Sequence, residues 1–363
     1  MDNFAFIIHP IEPRKDVARK FKLFGYLPTG VIDYFCLFFP PVYISHITGI
    51  RSVTGREIEG WFVACPLTPT RMTQVSTEVA YRKIVQTGRL AERLGAKILG
   101  LGAFTSVVGD AGITISKRLS IPVTTGNSYT VAVAVEAVRE AARQMEIALS
   151  RAKAAVVGAT GAVGSVCAQL LARDVAEIVL VGRRLPRLEE VRACVQTVGG
   201  AHVSLATEIE AIREADLIIA VTSAIETIIE PHHLKPGAVI LDVARPRDVS
   251  RQVVEKRKDV LVIEGGMVEV PGPVDFGFDF GFPPRMAYAC MAEVMILALE
   301  GRCESYTLGR DITVEQVEEI TSLAAKHGFR LGGFRSFERA VTREEVELVK
   351  ENALGKMGHQ VVG

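Results

Sequence analysis

Three glycines follow a short apolar run, and their spacing is typical of a turn that binds phosphate groups. The run spans residues 152–157, and the turn carries Gly158, Gly161 and Gly164. The first glycine permits a tight turn, the second lets the backbone approach a pyrophosphate, and the third lets the next helix pack closely on the strand. The free N–H groups at the helix N-terminus then face the pyrophosphate. We therefore predict that the whole turn contacts a dinucleotide, through Gly158, Ala159, Thr160, Gly161, Ala162, Val163 and Gly164.

Two consecutive arginines follow the second apolar run of this unit. The run covers residues 177–181, and Arg183 and Arg184 come directly after Gly182. In units that bind NAD, this strand usually ends in Asp or Glu, which binds the ribose 2′-hydroxyl. A guanidinium group instead suits the 2′-phosphate of NADP. The pair therefore predicts NADPH as the cofactor, and a tight turn with two surface arginines is the alternative.

Cys290 is the side chain best suited to covalent chemistry. It lies in the segment 285–293, which we expect to open a helix after a glycine- and proline-rich loop. A thiol in the first turn of a helix feels the positive end of the helix dipole, which lowers its pKa, and Arg285 would add to this effect. A thiolate can attack an acyl thioester, and hydride from NADPH can then release an aldehyde. The alternative is a packing cysteine, because free cysteines are among the most buried side chains.

Two hydroxyl side chains follow a later apolar run. Thr222 and Ser223 come after residues 216–221. Ligands of open parallel sheets bind beyond the carboxyl ends of the strands. Both residues are therefore predicted to hydrogen-bond the cofactor, although a polar strand end without a ligand is an equally simple interpretation.

Strand and helix patterns alternate through the middle of the chain. The strands are expected at 152–157, 177–181, 201–205, 216–221, 238–242 and 260–263, and the helices at 128–148, 162–173, 186–197, 207–214 and 285–300. This alternation predicts an α/β fold with a doubly wound parallel sheet, the Rossmann architecture. We assign residues 128–305 to an NADP-binding domain that includes the Cys290 helix, and residues 306–363 to a helical C-terminal extension.

Residues 1–127 are predicted to form a separate α/β domain that binds the substrate. Strands are expected at 4–8, 57–64 and 96–101, and helices at 17–24 and 73–94. The segment 31–43 is unusually rich in aromatic residues, and Trp61 is the only tryptophan of the chain.

The composition excludes several classes of protein. Because 42 cations balance 42 anions among 363 residues, we expect no nucleic-acid partner. The apolar runs are shorter than the roughly 20 residues that a membrane helix needs, so no integral membrane segment is expected. The start of the chain lacks the pattern of a signal peptide, and the six cysteines show no Cys-x-x-Cys pair. We expect a cytoplasmic protein with no metal site.

Over residues 1–330 the chain resembles long-chain acyl-(acyl-carrier-protein) reductases, which reduce fatty acyl thioesters to fatty aldehydes with NADPH. The resemblance is carried by His9 with its apolar strand and by the segments 101–106, 124–127, 157–164, 264–269, 287–293 and 326–329. Residues 242–248 are more similar to glutamyl-tRNA reductases, relatives that also reduce a thioester held on cysteine.

The resemblance implies roles for particular residues. In that family the cysteine of the Ala-Cys-x-Ala-Glu segment carries the acyl group, and this position is Cys290 here. Five residues, Thr105, Ser106, Thr125, Gly126 and Asn127, are expected to shape the catalytic crevice between the two units, with a polar loop as the alternative. His9 is a weaker candidate, since it is more often a capping or core residue.

The resemblance also implies a partner that delivers the acyl group. This partner would be an acyl-carrier protein or coenzyme A, and cations on the helix 73–94 and just before it are available to dock a carrier protein. A long alkyl chain needs an apolar tunnel, since each buried methylene contributes about 0.8 kcal/mol. The aromatic segment and Trp61 could line this tunnel or form plain core. The sequence carries no signal for the oligomeric state.

Two other functions remain open from the residues alone. A dehydrogenase of the shikimate or quinate kind would pass hydride to a ketone and would need a Lys–Asp pair, for which only Lys83 and Asp110 are available. A non-catalytic protein that senses NADP would keep the fold without the chemistry.

Overall fold

The chain folds into two compact units. The structure, a computed structural model, describes residues 3–224 and 226–360, with only the backbone over 357–360. The first unit contains the described residues up to Tyr129 together with Val268–Ile312 and Glu318–Arg330. The second unit contains Thr130–Met267, Thr313–Val317 and the described residues from Leu331 onward.

The first unit is built on a five-stranded sheet. In chain order its first segment contains β1 (Phe4–Ile8), α1 (Pro13–Lys20), α2 (Thr29–Cys36), β2 (Val42–Arg51), β3 (Glu57–Ala64), α3 (Pro69–Gln74), α4 (Thr77–Leu94), β4 (Ile98–Leu101), α5 (Ile113–Arg118), β5 (Val123–Thr124) and the start of α6 (Asn127–Gln144). The strand order is β2-β3-β1-β4-β5, and β1 pairs in parallel with both β3 and β4. Phe4, Ala5, Phe6 and Ile7 are at most 1% exposed, as expected for a central strand that is covered on both faces.

The second unit contains a six-stranded parallel sheet. Its elements are β6 (Lys153–Val157), α7 (Ala162–Leu171), β7 (Glu177–Val181), α8 (Leu185–Val198), β8 (His202–Ala206), β9 (Leu217–Ala220), β10 (Val239–Asp242), α9 (Arg251–Lys256) and β11 (Leu261–Glu264). The strand order is β11-β10-β9-β6-β7-β8, and every pairing is parallel. The order reverses at β6, where the glycine turn begins. The predicted doubly wound α/β fold is confirmed.

The rest of the chain adds short strands and three helices. They are β12 (Met267–Glu269), β13 (Met286–Tyr288), α10 (Ala289–Glu300), α11 (Val314–His327), β14 (Arg330–Leu331), β15 (Arg335–Ser336), β16 (Arg339–Ala340) and α12 (Arg343–Gln360). In α10, every residue from Met291 to Leu299 is buried, so this helix is apolar on all sides apart from Glu293.

The contacts divide the chain differently from the predicted boundaries at 127 and 305. The Cys290 helix, which we predicted in the domain 128–305, belongs to the first unit. Its apolar surface packs on the first sheet, where Gly100 in β4 leaves room for Val294. The sequence could not predict this, because the loop before α10 is rich in glycine and proline and does not indicate which sheet the helix will cover.

Two local predictions also differ from the structure. The helix predicted at 207–214 is only a short 3-10 turn, Ile209–Ile212, because its few apolar residues do not sustain a longer helix. The aromatic segment 31–43 forms α2 and the start of β2, and five of its aromatic rings are exposed, Tyr34, Phe35, Phe38, Phe39 and Tyr43. These rings are therefore not buried core.

Candidate active site

Cys290 is the second residue of α10 and lies against a glycine, Gly126. Gly126 has φ +76°, and a Cβ atom added to it would lie 2.4 Å from the Cα and 2.5 Å from the Cβ of Cys290. Both the backbone conformation and the close approach therefore require glycine at position 126. Cys290 itself is partly exposed and forms no disulfide.

A fully buried carboxylate holds the segment that contacts Cys290. Glu293 lies on the same helix and is 0% exposed. It accepts hydrogen bonds from the hydroxyls of Thr124 and of Thr307 (2.9 Å), and from the backbone N–H of Tyr129 (2.8 Å). Burial raises the pKa of Glu293, and these donors oppose that effect. Glu293 therefore joins α10 to β5 and to the start of α6 on either side of Gly126.

Sequence reasoning gave Glu293 no role, although a signal was present. A single carboxylate within the otherwise apolar run from Ala289 to Leu299 cannot be an ordinary core position. Its partners at 124, 129 and 307 are far away in sequence, so the network could not be derived.

Thr105 and Ser106 lie in a buried 3-10 turn, Ala103–Ser106. The hydroxyl of Thr105 donates to the carbonyl of Gly102 (2.7 Å), and that of Ser106 donates to the carbonyl of Ala103 (2.6 Å). Both hydroxyls thus stabilise the turn itself. The turn also contacts Cys290, because the backbone of Ala103 hydrogen-bonds the sulfur in the sense that lowers the pKa of the thiol.

The predicted low pKa of Cys290 is wrong. Although part of the residue is exposed, the thiol is surrounded by protein, and this burial raises its pKa to about 12. The charge of Glu293 also raises the pKa, and backbone hydrogen bonds from Ala103 and Met291 lower it. Arg285, which was expected to help, pairs instead with Glu269 at 2.9 Å. Desolvation therefore outweighs the helix dipole, and the resting side chain is a neutral thiol.

His9 supports the turn next to Cys290. Its Nε2 accepts a hydrogen bond from the backbone N–H of Phe104 (2.9 Å). Burial lowers the pKa of His9 to about 4, so the ring is neutral at physiological pH. Of the two structural roles that the sequence left open for His9, capping or core, this contact is the capping one.

Asn127 directly follows Gly126 and is the first residue of α6. The structure thus brings four of the named residues together around one turn and two helix starts in the first unit, namely Cys290, Thr105, Ser106 and Asn127. Their chemical roles stay predictions.

The glycine turn in the second unit has the geometry expected of a dinucleotide site. Gly158 has φ +86°, and a Cβ atom there would lie 2.7 Å from the carbonyl oxygen of Val221. A Cβ atom on Gly164 would lie 2.4 Å from the carbonyl oxygen of Gly158, so this glycine allows α7 to pack against the turn. Gly161 is the N-cap of α7 and precedes its free N–H groups.

The other turn residues surround the start of α7. Ala159 and Val163 are buried, whereas Thr160 and Ala162 are partly exposed. The backbone N–H of Ala159 donates to the carbonyl of Val181 (3.1 Å), which ties the turn to the end of β7.

Arg183 and Arg184 follow β7 and are exposed. Among the side chains of residues 3–224 and 226–356, neither guanidinium takes part in an ion pair. Two uncompensated cations at this strand end are available to an anionic group.

Thr222 and Ser223 follow β9 but differ in their surroundings. The N–H of Thr222 donates to Asp248 (2.8 Å), and its hydroxyl donates to the same buried carboxylate. Ser223 is exposed. Sequence reasoning missed Asp248, whose contact with Thr222 spans 26 residues, and it therefore treated the Thr222 hydroxyl as free.

A second buried carboxylate ends the neighbouring strand β10. Asp242 is 1% exposed and accepts hydrogen bonds from the N–H groups of Ala244 (3.1 Å) and Val249 (3.0 Å). Burial raises the pKa of Asp242 to about 6, against the nearby charge of Arg245. Asp242 thereby fixes the loop that leaves the sheet at its carboxyl edge.

Two further features of the described residues bear on function. No helix in this part of the chain is long and apolar enough to cross a membrane. Over the same residues, no cluster of three or more His, Cys, Asp or Glu side chains is arranged to hold a metal ion.

Some known proteins match only part of this chain, and others match most of it. A model of the shikimate/quinate 5-dehydrogenase family matches residues 139–264, the part of the chain that carries the glycine turn. The chain is also 26% identical to a glutamyl-tRNA reductase of Trichodesmium erythraeum over 48% of this chain and 41% of that protein.

Two relatives match most of the chain. An aminotransferase, PigE of Serratia, is 32% identical over 82% of this chain, but the chain spans only 35% of the length of PigE. A long-chain acyl-(acyl-carrier-protein) reductase of Synechococcus elongatus is 31% identical over 90% of this chain and 98% of its own length. Because this second match covers nearly all of both proteins, the chain belongs to the long-chain acyl-(acyl-carrier-protein) reductase family.

Proposed function

We propose that this protein reduces a fatty acyl thioester to an aldehyde, with NADPH as the reductant and Cys290 as the nucleophile. The observation that carries the proposal is the position of Cys290 at the start of α10, against Gly126 and the Ala103–Ser106 turn. The family of the chain supports the same reaction, since the name of the full-length relative gives an acyl-carrier protein as the carrier of its substrate.

The residues of the second unit fit NADP. Gly158 and Gly164 leave no room for a Cβ atom, and Gly161 keeps the backbone at the start of α7 open to a pyrophosphate. Arg183 and Arg184 would hold the 2′-phosphate. NADPH, when bound, supplies the hydride that converts an acyl thioester to an aldehyde.

The acyl group is transferred to the protein by thioester exchange. The sulfur of Cys290 bonds to the carbonyl carbon of the donor, the bond from that carbon to the carrier sulfur breaks, and the proton lost by Cys290 ends on the departing carrier thiol. The backbone groups of Ala103 and Met291 that lower the pKa of the thiol stabilise negative charge on the sulfur as it attacks. The raised pKa keeps the resting sulfur protonated, which limits its oxidation between turnovers.

Thr105, Ser106 and Asn127 act as positioning residues in this scheme. The hydroxyls of Thr105 and Ser106 maintain the turn that presents Ala103 to the sulfur. Glu293 fixes the opposite side through Thr124 and Tyr129. We assign acyl binding to the first unit and NADPH binding to the second.

The proposal is tested by incubating the protein with NADPH and a panel of acyl-carrier-protein and acyl-coenzyme A donors, and by detecting the aldehyde. We expect aldehyde from the wild type and none from Cys290→Ala. A Cys290→Ala variant that still makes aldehyde would refute the role of Cys290 as the nucleophile. NADPH binding without turnover of any acyl donor would leave the ketone-reducing enzyme or the sensor as the better interpretation.

The cofactor is tested separately by calorimetric titration with NADP⁺ and NAD⁺. The double change Arg183→Ala and Arg184→Ala should weaken the binding of NADP⁺ at least tenfold and the binding of NAD⁺ much less, because only NADP⁺ carries the 2′-phosphate. An equal loss for both would refute the assignment.

A further inference from the structure

The exposed apolar side chains of this protein are concentrated in one short stretch. Sixteen large hydrophobic side chains are exposed in the described part of the chain, and ten of them fall between residues 21 and 43. These ten, which we call the aromatic surface, are Phe21, Leu23, Tyr26, Leu27, Val31, Tyr34, Phe35, Phe38, Phe39 and Tyr43. Single exposed hydrophobic residues need no explanation, but a concentration of this kind marks an interaction surface.

Ring contacts join many of these side chains to one another. Phe24 links Phe21 and Phe39, with ring centroids 6.0 Å apart in each pair. Tyr34 contacts the rings of Phe35 (6.0 Å) and Phe38 (5.4 Å). The side chains at both ends of the stretch thus form clusters rather than isolated points.

Cations border the aromatic surface. Residues 12–43 carry five cations and three carboxylates. The cations lie on α1 and just after it, and they are Arg14, Lys15, Arg19, Lys20 and Lys22. The carboxylates are Glu12, Asp16 and Asp33. Lys20 lies over the ring of Tyr43 at 5.9 Å, so the charge directly adjoins the rings. Two of the carboxylates are already engaged, since Asp16 accepts from the start of α1 and Asp33 pairs with Arg71.

We propose that the aromatic surface docks this protein on an anionic lipid surface. Exposed Phe, Tyr and Leu side chains bordered by lysines and arginines are the composition of segments that lie in the headgroup region of a bilayer. The rings would enter the boundary between headgroups and acyl chains, and the cations would contact anionic headgroups. Such docking needs no spanning helix, in agreement with the described helices.

The cations favour lipid over an acidic protein as the occupant. Recognition of an acidic protein would depend chiefly on free cations. Here Arg14 donates to the carbonyl of Gly25 (2.7 Å), Arg19 lies 3.7 Å from Asp16, and Lys20 donates to the carbonyl of Ile44 (2.6 Å). Ten apolar side chains therefore dominate a surface on which most of the five cations already have partners.

The test is co-flotation of the full chain with phosphatidylcholine vesicles that do or do not contain phosphatidylglycerol. The first variant replaces the three most exposed members of the aromatic surface, Leu23→Ser, Tyr26→Ser and Phe38→Ser, which are 81%, 86% and 66% exposed. Its matched control replaces exposed apolar residues elsewhere, Val53→Ser, Leu348→Ser and Leu354→Ser, which are 70%, 54% and 68% exposed. A second variant, Lys15→Gln with Lys22→Gln, keeps all the apolar side chains.

We expect the wild type to float with the anionic vesicles. The first variant should bind at least tenfold more weakly, while its control binds as the wild type does. The lysine variant should weaken binding to anionic vesicles about fivefold for each charge removed and leave binding to neutral vesicles unchanged.

Four outcomes would overturn the proposal. The first is a wild type that does not float with either kind of vesicle, and the second is a control variant that loses as much vesicle binding as the first variant. The third is a protein that binds no vesicles but forms a dimer, which the first variant converts to a monomer. The fourth is a protein that binds no vesicles but binds acyl-carrier protein through the aromatic surface. The measurement needs neither NADPH nor turnover, so it can fail or succeed independently of the proposed reductase activity.

Discussion

At the scale of single residues, the protonation state of Cys290 governs the reactivity of its sulfur. The pKa of its thiol is raised to about 12 because burial outweighs the backbone hydrogen bonds of Ala103 and Met291. A group with so high a pKa gains thiolate tenfold for each pH unit throughout the neutral and mildly alkaline range.

We therefore predict that alkylation of Cys290 by iodoacetamide accelerates about tenfold per pH unit from pH 7 to pH 10, without a plateau. The rate is measured by mass spectrometry of the Cys290 peptide. The exposed cysteines Cys194 and Cys303 are replaced by Ser so that they do not consume the reagent. A plateau between pH 7 and pH 8 would mean that the thiol has a low pKa after all.

Asp242 provides a pH-dependent contribution to stability with a definite sign. Burial raises its pKa from 3.8 to about 6, so the folded protein favours the protonated carboxyl group. Its stabilising effect is therefore complete below pH 3.8 and is lost as the pH rises through 6.

Relative to Asp242→Asn, the wild type should lose about 2 kcal/mol of unfolding free energy between pH 4.5 and pH 7. Urea unfolding of both proteins across this range measures the difference. Parallel pH curves for the two proteins would contradict the assignment.

At the scale of elements, the candidate site depends on how closely β5, α6 and α10 approach one another. Gly126 is the point of closest approach, and Glu293 holds the three elements together through Thr124 and Tyr129. A small displacement of any of these three elements would move the sulfur of Cys290 relative to the turn that carries Ala103.

We predict that Gly126→Ala lowers the free energy of unfolding by about 2 kcal/mol or more, since the residue must keep φ +76° and its Cβ would overlap Cys290. The same variant should slow the acylation of Cys290. Gly200→Ala is the matched control, because no atom lies within 4 Å of its added Cβ, and it should change stability by less than about 0.5 kcal/mol. Equal effects of the two changes would show that the contact is unimportant.

The parts of this architecture that the sequence predicted are those encoded locally. The glycine turn, β6, α7 and β7 lie within about thirty consecutive residues, and alternation of apolar runs was sufficient to place them. Gly158 takes φ +86° in the turn, and Gly164 lets α7 pack closely against it, as the glycine spacing suggested; their contact with a dinucleotide stays a prediction.

Features that depend on distant contacts were not predictable in this way. Glu293 and Thr124 are 169 residues apart, and Thr222 and Asp248 are 26 apart, so no local pattern connects them. The grouping of α10 with the first sheet and the exposure of Tyr34 and Phe38 likewise depend on which surfaces meet in the folded chain. The pKa of Cys290 failed as a prediction because burial, which sequence does not reveal, exceeds the effect of the helix dipole.

At the scale of the whole molecule, the proposed reaction needs a surface that receives the acyl donor. Four cations on and before α4 were candidates for docking a carrier protein. Arg71 is engaged by Asp33, and Lys83 donates to the carbonyl of Phe39 (2.8 Å), whereas Arg82 and Arg89 are exposed.

If a carrier protein is the donor, the double change Arg82→Gln and Arg89→Gln should raise the KM for acyl-carrier protein roughly fivefold. Added salt should also raise this KM in the wild type. Acyl-coenzyme A should respond much less to the substitutions, since it makes no extended protein contact. The control changes exposed arginines elsewhere, Arg213→Gln and Arg343→Gln. If neither the substitutions nor added salt changes the KM for acyl-carrier protein, this face of α4 is not the site that binds the carrier protein.

The most direct measurement is intact-protein and peptide mass spectrometry after the protein is mixed with an acyl donor in the absence of NADPH. The account predicts an added acyl mass on the Cys290 peptide, no such adduct in Cys290→Ala, and loss of the adduct with release of aldehyde when NADPH is added. A preparation that makes aldehyde but never carries an acyl group on Cys290 would contradict it.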